Sequence, residues 1–444
     1  MTDWNQIRQT KVLQPDEVDV VIYHDPCSDG TTSGYIAWKY LTAKFPERNV
    51  KYYPMTIGSP PPPNLENKNV LICDYSYRKD VLNNLLKKVN KLLVIDHHKS
   101  AQLDLAEIDD KYKIFDMGYS GAMLTWFYFF PDVKPPLLIE YVQDRDIWTK
   151  LLPNTDDFAS WFYTLPMEFK EYDKYIDDKL LTNMIQVKGI SYGELNKYYI
   201  EQSLTYVTPK FCKIKNKFYF VAYVNSTICK SDIGNKIFDK FPLADFSAVY
   251  SISDHTDDTS FSLRSTNDRA DVSEIAFSLG GGGHAQASGV RVNYICNVLP
   301  GNVYDNGQLY EELKYIYHNT LDINGKPYNV VYLASSMHKT KLATYLLQNK
   351  YKQTQVFTDI LTKLGNNCSD RAQIAAVWVY NPVLDITKFT IVLDTSVNTQ
   401  EKLTINDYFG CDVNYGLICN GLQKFLPTDK TLIVKKSNDS KIES

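Results

Sequence analysis

An α/β fold built on a parallel sheet is predicted by three features of the first third of the chain. Apolar runs of strand length, 19-DVVIYHD-25, 69-NVLICDY-75 and 91-KLLVID-96, recur with a weaker one at 49-NVKYYPM-55. Helical stretches separate them: 31-TTSGYIAWKYLTAKF-45, and 79-KDVLNNLLKKV-89 with Leu and Val at helical spacing. The resulting β-α-β order calls for parallel strands with helices on both faces. Finally, the buried strands end in polar groups, with Asp25, Asp74 and Asp96 each at a C-terminal end. Ligands of open α/β sheets bind beyond those ends.

A single Asp after a strand is commonly a turn former or helix cap. Here the acidic groups recur and histidines accompany them. Of the seven histidines in the chain, His24, His97 and His98 lie at these same strand ends. Imidazole and carboxylate groups gathered at one sheet edge are the donor types that borderline and hard divalent ions take.

Bulk properties narrow the function. At 444 residues the chain exceeds one core, so two or three domains are expected. With 48 basic and 52 acidic residues the net charge is −4, which argues against strong binding of long nucleic acid. A nucleotide-type ligand is therefore expected to be short or held at one local site. The eight cysteines include no CxxC pair, so reduced thiols and a cytoplasmic location are expected, without a structural zinc site. The polar N-terminus MTDWNQIRQTKVLQPDE lacks a signal-peptide core, and no run of about 18 apolar residues exists, so no membrane association is expected.

Four motifs carry a family resemblance: 23-YHDPCSDG-30, 72-ICDYS-76, 94-VIDHHK-99 and 141-YVQDRDIW-148. In this order they resemble the DHH phosphoesterase superfamily, which includes RecJ-like exonucleases, nanoRNases, cyclic-dinucleotide phosphodiesterases, exopolyphosphatases and one type of inorganic pyrophosphatase. A fifth, 261-FSLRSTNDRADVSEIAFSLGGGGHAQASGV-290, resembles the DHH-associated second domain of the RecJ and nanoRNase branch. The resemblance covers roughly residues 18–295.

The resemblance implies two-metal phosphoester hydrolysis, with Mn²⁺ expected and Mg²⁺ or Co²⁺ as substitutes. One ion would be held by Asp29, Asp74, His97 and Asp144, the other by His24, Asp74 and the residue at Cys27. Asp146 is the second choice to Asp144, because the spacing from Asp144 to Trp148 better matches the family. Asp96 would orient the neighbouring imidazoles, and His98 would contact the scissile phosphate or protonate the leaving oxygen. Arg264, His284 and the backbone of Gly281, Gly282 and Gly283 would bind the substrate's phosphate or base.

Cys27 departs from the common pattern, which has Asp there. A thiolate is a poor match for Mn²⁺ or Mg²⁺. Either Cys27 is not a ligand and Asp25 turns in, or the first ion binds more weakly.

The implied organisation is a DHH domain over 1–155, a helical linker over 156–208, a smaller α/β DHH-associated domain over 209–296, and an α/β or α+β extension of unassigned role over 297–444. The tetraproline 60-PPPP-63 reads as a stiff connection, the aromatic and charged segment 167–202 as linker helix, and the tail 435–444 as a frayed terminus. The leading expectation is a metal-dependent phosphodiesterase of exonuclease type acting on short oligonucleotides or a small nucleotide substrate. A cyclic-dinucleotide phosphodiesterase and a phosphoadenosine phosphate phosphatase use the same constellation. A catalytically weakened scaffold is the alternative from another class.

Overall fold

The structure, a computed structural model, describes residues 3–56, 58–313, 316–348, 372–381, 386–409 and 417–420. The tail 435–444 lies outside the described residues. The chain divides into two compact units, Met1–Gln202 with Ala276–Val290, and Ser203–Ile275 with Arg291–Ser444.

The first unit is organised by α1 (Trp4–Gln9), β1 (Val20–His24), α2 (Ser28–Lys44), β2 (Lys51–Met55), β3 (Asn69–Cys73), α3 (Lys79–Leu86), β4 (Lys91–Asp96), α4 (Lys99–Asp104) and β5 (Lys113–Phe115). The five strands form one parallel sheet in the order β2-β1-β3-β4-β5. Alternate residues serve opposite faces. Val21, Tyr23, Leu71, Cys73, Leu93 and Ile95 join one core, and Val20, Ile22, Val70, Ile72, Leu92 and Val94 join the other with Leu82 and Leu85 of α3. Strands apolar on both faces need helices on both, which explains their continuous hydrophobic runs. The order reverses between β1 and β3, so the crevice at this switch point opens where His24 and Asp74 emerge.

Helices α5 (Gly121–Phe129), α6 (Leu137–Asp146), α7 (Thr155–Phe162), α8 (Phe169–Asp173), α9 (Asp178–Met184) and α10 (Ile190–Leu204) follow. The stretch 156–208 is helical for most of its length. Phe158, Trp161 and Phe162 of α7, Tyr172 of α8 and Leu181 of α9 belong to the same core as α2 and α5. Burying those large side chains requires the helices to pack on the sheet rather than span a gap. Residues 60–63 run as coil between β2 and β3.

In the second unit β6 (Thr208–Ile214) and β7 (Lys217–Asn225) form an antiparallel hairpin. After α11 (Lys230–Lys240), β8 (Phe246–Ser253) lies parallel to β7, and β9 (Asp258–Arg264) pairs antiparallel with β8. After α12 (Val272–Ser278), the short β10 (Gly282–Gly283) pairs antiparallel with β11 (Ala287–Val292) within the segment Ala276–Val290 of the first unit. β12 (Asn302–Asp305) adds antiparallel to β6, so this sheet draws on residues beyond 296. Next come α13 (Gln308–Glu312), β13 (Tyr317–Ile323), β14 (Lys326–Ala334), α14 (Lys339–Gln348), β15 (Ile374–Asn381), β16 (Ile386–Leu393), α15 (Thr399–Phe409) and β17 (Leu417–Asn420). β13 to β17 form a mixed sheet in chain order, and α14 packs on β7, β15 and β16.

Candidate metal centre

The carboxyl edge of the parallel sheet collects the polar groups of the first unit. Asp74 follows β3 in the left-handed backbone region, with φ of 51°. A non-glycine residue held there is strained by sterics and is retained only where its surroundings over-determine it. Its amide donates to the Ile95 carbonyl at 2.8 Å, tying the turn to β4. The buried carboxylate then receives imidazoles from two sides. His97 Nε2 lies 3.2 Å from Oδ1, and His24 Nδ1 lies 3.6 Å from Oδ2. Cys27 Sγ is 3.7 Å from the same Oδ2.

Asp29, in the first turn of α2, is equally buried. Its carboxylate accepts the amides of Gly121 at 2.6 Å and Ala122 at 3.0 Å, so it sits on the N-terminus of α5, where Ser120 is the cap. A methyl group on Gly121 would lie 2.5 Å from Asp74 Cβ and 2.9 Å from Asp29 Oδ2. The absence of a side chain at 121 is thus what lets the helix end wedge between the two carboxylates. No sequence motif singled out Gly121. Its one signal is a Ser-Gly pair opening an apolar helix.

His97 Nε2 is 3.6 Å from Asp29 Oδ2 and 3.5 Å from Asp146 Oδ2. Asp146, not Asp144, is the α6 carboxylate at the centre, which corrects the sequence expectation. Asp144 accepts hydrogen bonds from Thr149 Oγ1 at 2.6 Å, the amides of Leu151 at 2.7 Å and Leu152 at 3.0 Å, and Thr155 Oγ1. It ties down the loop after α6. Burial opposes its ionisation, but these bonds hold its carboxyl below the usual range. Residues two apart on a helix point about 200° apart, so one carboxylate can face the centre and the other the loop. Spacing to Trp148 does not say which.

Asp96 is fully buried and organises the next turn. Its Oδ1 accepts from the His97 amide at 2.7 Å and pairs with His98 Nδ1 at 2.6 Å, while Oδ2 accepts from Ser76 Oγ at 2.5 Å. The His98 ring stacks on His284 with centroids 4.9 Å apart and planes 17° apart, and His284 also lies 4.7 Å from the His97 ring. Among the described residues, Asp25 joins none of the groupings of closely spaced ligand atoms; its backbone bonds to Met55 and Thr56 instead. Of the two readings of the Cys27 position, the turning in of Asp25 is therefore not the one adopted.

The glycine run serves the fold rather than a phosphate at two of the three expected positions. The Gly281 amide donates to the Ala276 carbonyl at 2.8 Å, and the Gly283 amide to Ser100 Oγ at 2.9 Å. A Cβ on Gly281 would lie 2.0 Å from the Gly289 carbonyl oxygen. Glycine is required there by the close approach of two backbones, and the expected phosphate donors at 281 and 283 are already engaged. Gly282 lines a cleft beside His98 together with Tyr77, Arg78 and Ser100. The Arg78 guanidinium stands 4.3 Å over the Phe277 ring and donates to the Gly281 carbonyl at 2.9 Å. Arg264 belongs to the second unit, where its guanidinium donates to Ser231 Oγ and the Leu263 carbonyl.

Electrostatics and orphaned atoms together test whether a metal fits. Burial and the Asp74 and Asp146 charges push the Asp29 carboxyl well above its usual range. Burial also opposes the charge on Asp74, yet the hydrogen bonds of His24 and His97 hold it well below. His97 resists protonation through burial, but Asp146, Asp74 and Asp29 raise it well above an ordinary imidazole. His284 is pushed down to about 3 by burial and then by His98 and His97. Buried carboxylates this close need positive charge among them. Asp74 Oδ1 and His97 Nδ1 are buried without a hydrogen-bond partner. The donor atoms of Asp29, His97 and Asp146 lie within 4.8 Å of one another, as do those of His24, Cys27 and Asp74. The residues present fit divalent cations.

No protein-family model matches the chain. It is 35% identical over 328 residues to "Uncharacterized protein R106" of Acanthamoeba polyphaga mimivirus, covering 72% of this chain and 78% of that protein. Three solved structures show weaker likeness. The DHH domain of a protein assigned to a family of ribosomal proteins is 13% identical with a TM-score of 0.40, covering 64% of this chain and 84% of its own. The exonuclease RecJ bound to manganese is 13% identical with a TM-score of 0.36, covering 64% and 89%. The pGpG-specific phosphodiesterase PggH from Vibrio cholerae is 13% identical with a TM-score of 0.32, covering 62% and 92%. At such scores these likenesses transfer no residue role. Among the described residues, no helix is long and apolar enough to cross a membrane.

Proposed function

The chain belongs to the same family as the mimivirus protein R106, and from that premise we propose that it is a metal-dependent phosphoesterase of the DHH type acting on short oligonucleotides. One observation carries the reading: three buried or half-buried carboxylates, Asp29, Asp74 and Asp146, converge on one buried imidazole, His97, at the sheet's switch point. Asp29, His97 and Asp146 would hold one divalent ion, and His24, Cys27 and Asp74 a second, with Asp74 Oδ1 3.2 Å from His97 Nε2 between them. Bound there, the ions would supply an acidified water for attack and positive charge against the phosphoryl oxygens.

The protein's own groups provide orientation and the proton. Asp96 takes His98 Nδ1, which assigns the donor hydrogen to that nitrogen and leaves Nε2 as the atom facing a leaving oxygen. Burial disfavours a charged His98, but the Asp96 carboxylate raises its pKa above the ordinary value. A ring whose protonated form is favoured by the carboxylate beside it suits a general acid. Ser76 holds the far oxygen of Asp96, so the ring direction is fixed by two successive hydrogen bonds. The cleft beside His98 is lined by the Arg78 cation. The net charge of −4 supports a short substrate over a long polyanion.

The test is release of mononucleotide from a 5′-phosphorylated dinucleotide, with Mn²⁺ and with Co²⁺, comparing the wild type with Asp74→Ala. Turnover by the wild type and at least a 1000-fold loss in the variant are expected, roughly the scale set by removing an essential electrostatic group. Absence of turnover by the wild type with either ion sinks the short-oligonucleotide reading.

A further inference from the structure

The two donor sets at this centre differ in chemical softness. Asp29, His97 and Asp146 offer only oxygen and nitrogen, whereas His24, Cys27 and Asp74 combine nitrogen, sulfur and oxygen. We propose that Cys27 is a thiolate ligand that makes its side of the centre selective for a thiophilic divalent ion of the Zn²⁺ or Co²⁺ class, while the all-N/O side takes a harder ion such as Mn²⁺. This rests on the metal-dependent reading above.

Position is the first support. Cys27 Sγ and His24 Nδ1 approach the same oxygen, Asp74 Oδ2, at 3.7 and 3.6 Å, so all three side chains point at one spot. Cys27 occupies the N-cap of α2 without a side-chain capping hydrogen bond, and its sulfur is directed at Asp74 Oδ2. Second, no oxygen donor replaces it. Asp25 is absent from every grouping of ligand atoms among the described residues. A sulfur beside an imidazole and a carboxylate suits Zn²⁺ or Co²⁺, and carboxylates with one imidazole suit Mn²⁺ or Mg²⁺. A centre with one set of each kind therefore sorts its ions.

The test uses the full chain stripped with a chelator and titrated with Co²⁺, followed by visible and near-ultraviolet absorption. The wild type is expected to develop a thiolate-to-cobalt charge-transfer band that is lost in Cys27→Ser and in Cys27→Asp, while both variants still bind cobalt at the N/O set. In an equimolar mixture of Zn²⁺ and Mn²⁺, elemental analysis is expected to show Cys27→Asp losing at least tenfold in its zinc-to-manganese ratio. Cobalt binding by the wild type without the band, or an unchanged ratio in Cys27→Asp, overturns the proposal and leaves the metal-dependent reading standing. Failure of the folded wild type to bind any of the three ions overturns both.

Discussion

Replacing Gly121 with Ala inverts the usual expectation for a helix. Alanine is favoured over glycine by up to about 1 kcal/mol in a helix, so an unconstrained site would be stabilised. Here the new Cβ would lie 2.5 Å from Asp74 Cβ, 2.8 Å from Asp74 Oδ1 and 2.9 Å from Asp29 Oδ2. Carbon atoms at rest sit about 3.5–4.0 Å apart, so α5 must withdraw by about 1 Å. That shift stretches the 2.6 Å and 3.0 Å bonds from Gly121 and Ala122 to the Asp29 carboxylate past hydrogen-bonding range. Each lost hydrogen bond contributes about 0.5–1.5 kcal/mol, and overpacking costs about 1–3 kcal/mol. Allowing for partial relaxation and the alanine preference, we expect a net loss of about 3 kcal/mol. For a unit of this size that is a fall of roughly 6–12 °C in Tm. Calorimetric melting in chelator, repeated with Mn²⁺, measures both the loss and the weakened stabilisation by metal. An unchanged or raised Tm with metal stabilisation intact would refute the wedge of α5 between Asp29 and Asp74.

The two α6 carboxylates are expected to separate cleanly. Asp146→Asn should lower Mn²⁺ affinity at least tenfold in calorimetric titration while leaving the metal-free Tm level or higher, because it removes a charge from a crowded cluster. Asp144→Asn should retain metal binding but lose about 2–4 kcal/mol of stability in urea unfolding, since its charged oxygens satisfy four donors; the opposite pattern would restore Asp144 to the centre. In the second unit, burial pushes Asp245 up to about 7, against the Phe220 amide that it accepts at 2.6 Å. The folded state therefore keeps a proton that the unfolded state releases near pH 4, so stability falls as pH rises from about 4 to 7 and is level above. At about 1.4 kcal/mol per pH unit the loss is at most about 4 kcal/mol, and smaller at a half-buried site. Asp245→Asn should flatten the wild-type decline in a pH series of urea midpoints, and parallel curves for the two proteins would exclude Asp245 as its source.

Much of the centre is legible in the linear chain because its parts are local. A buried parallel strand must emit its last side chain at the carboxyl edge, so His24, Asp74, Asp96, His97 and His98 declare themselves by following apolar runs. Asp29, in the first turn of the helix after β1, is reached only through the resemblance carried by 23-YHDPCSDG-30. What tertiary structure decided involves choices that local pattern leaves equal. Helix rotation selected Asp146 over Asp144, since α6 can present either side and packing on the core sets which. The approach of α5 made Gly121 part of the centre, because contact between Asp29, Asp74 and a helix so distant in the chain has no signature in spacing. The same holds for the glycine run: its small residues signal close approach, but only the folded chain shows that the approaching group is the Gly289 carbonyl. The packing of α7 to α9 is hidden for a related reason. Whether α7 to α9 span a gap or pack on the sheet depends on which apolar face meets which core, and that is a property of surfaces rather than of sequence order.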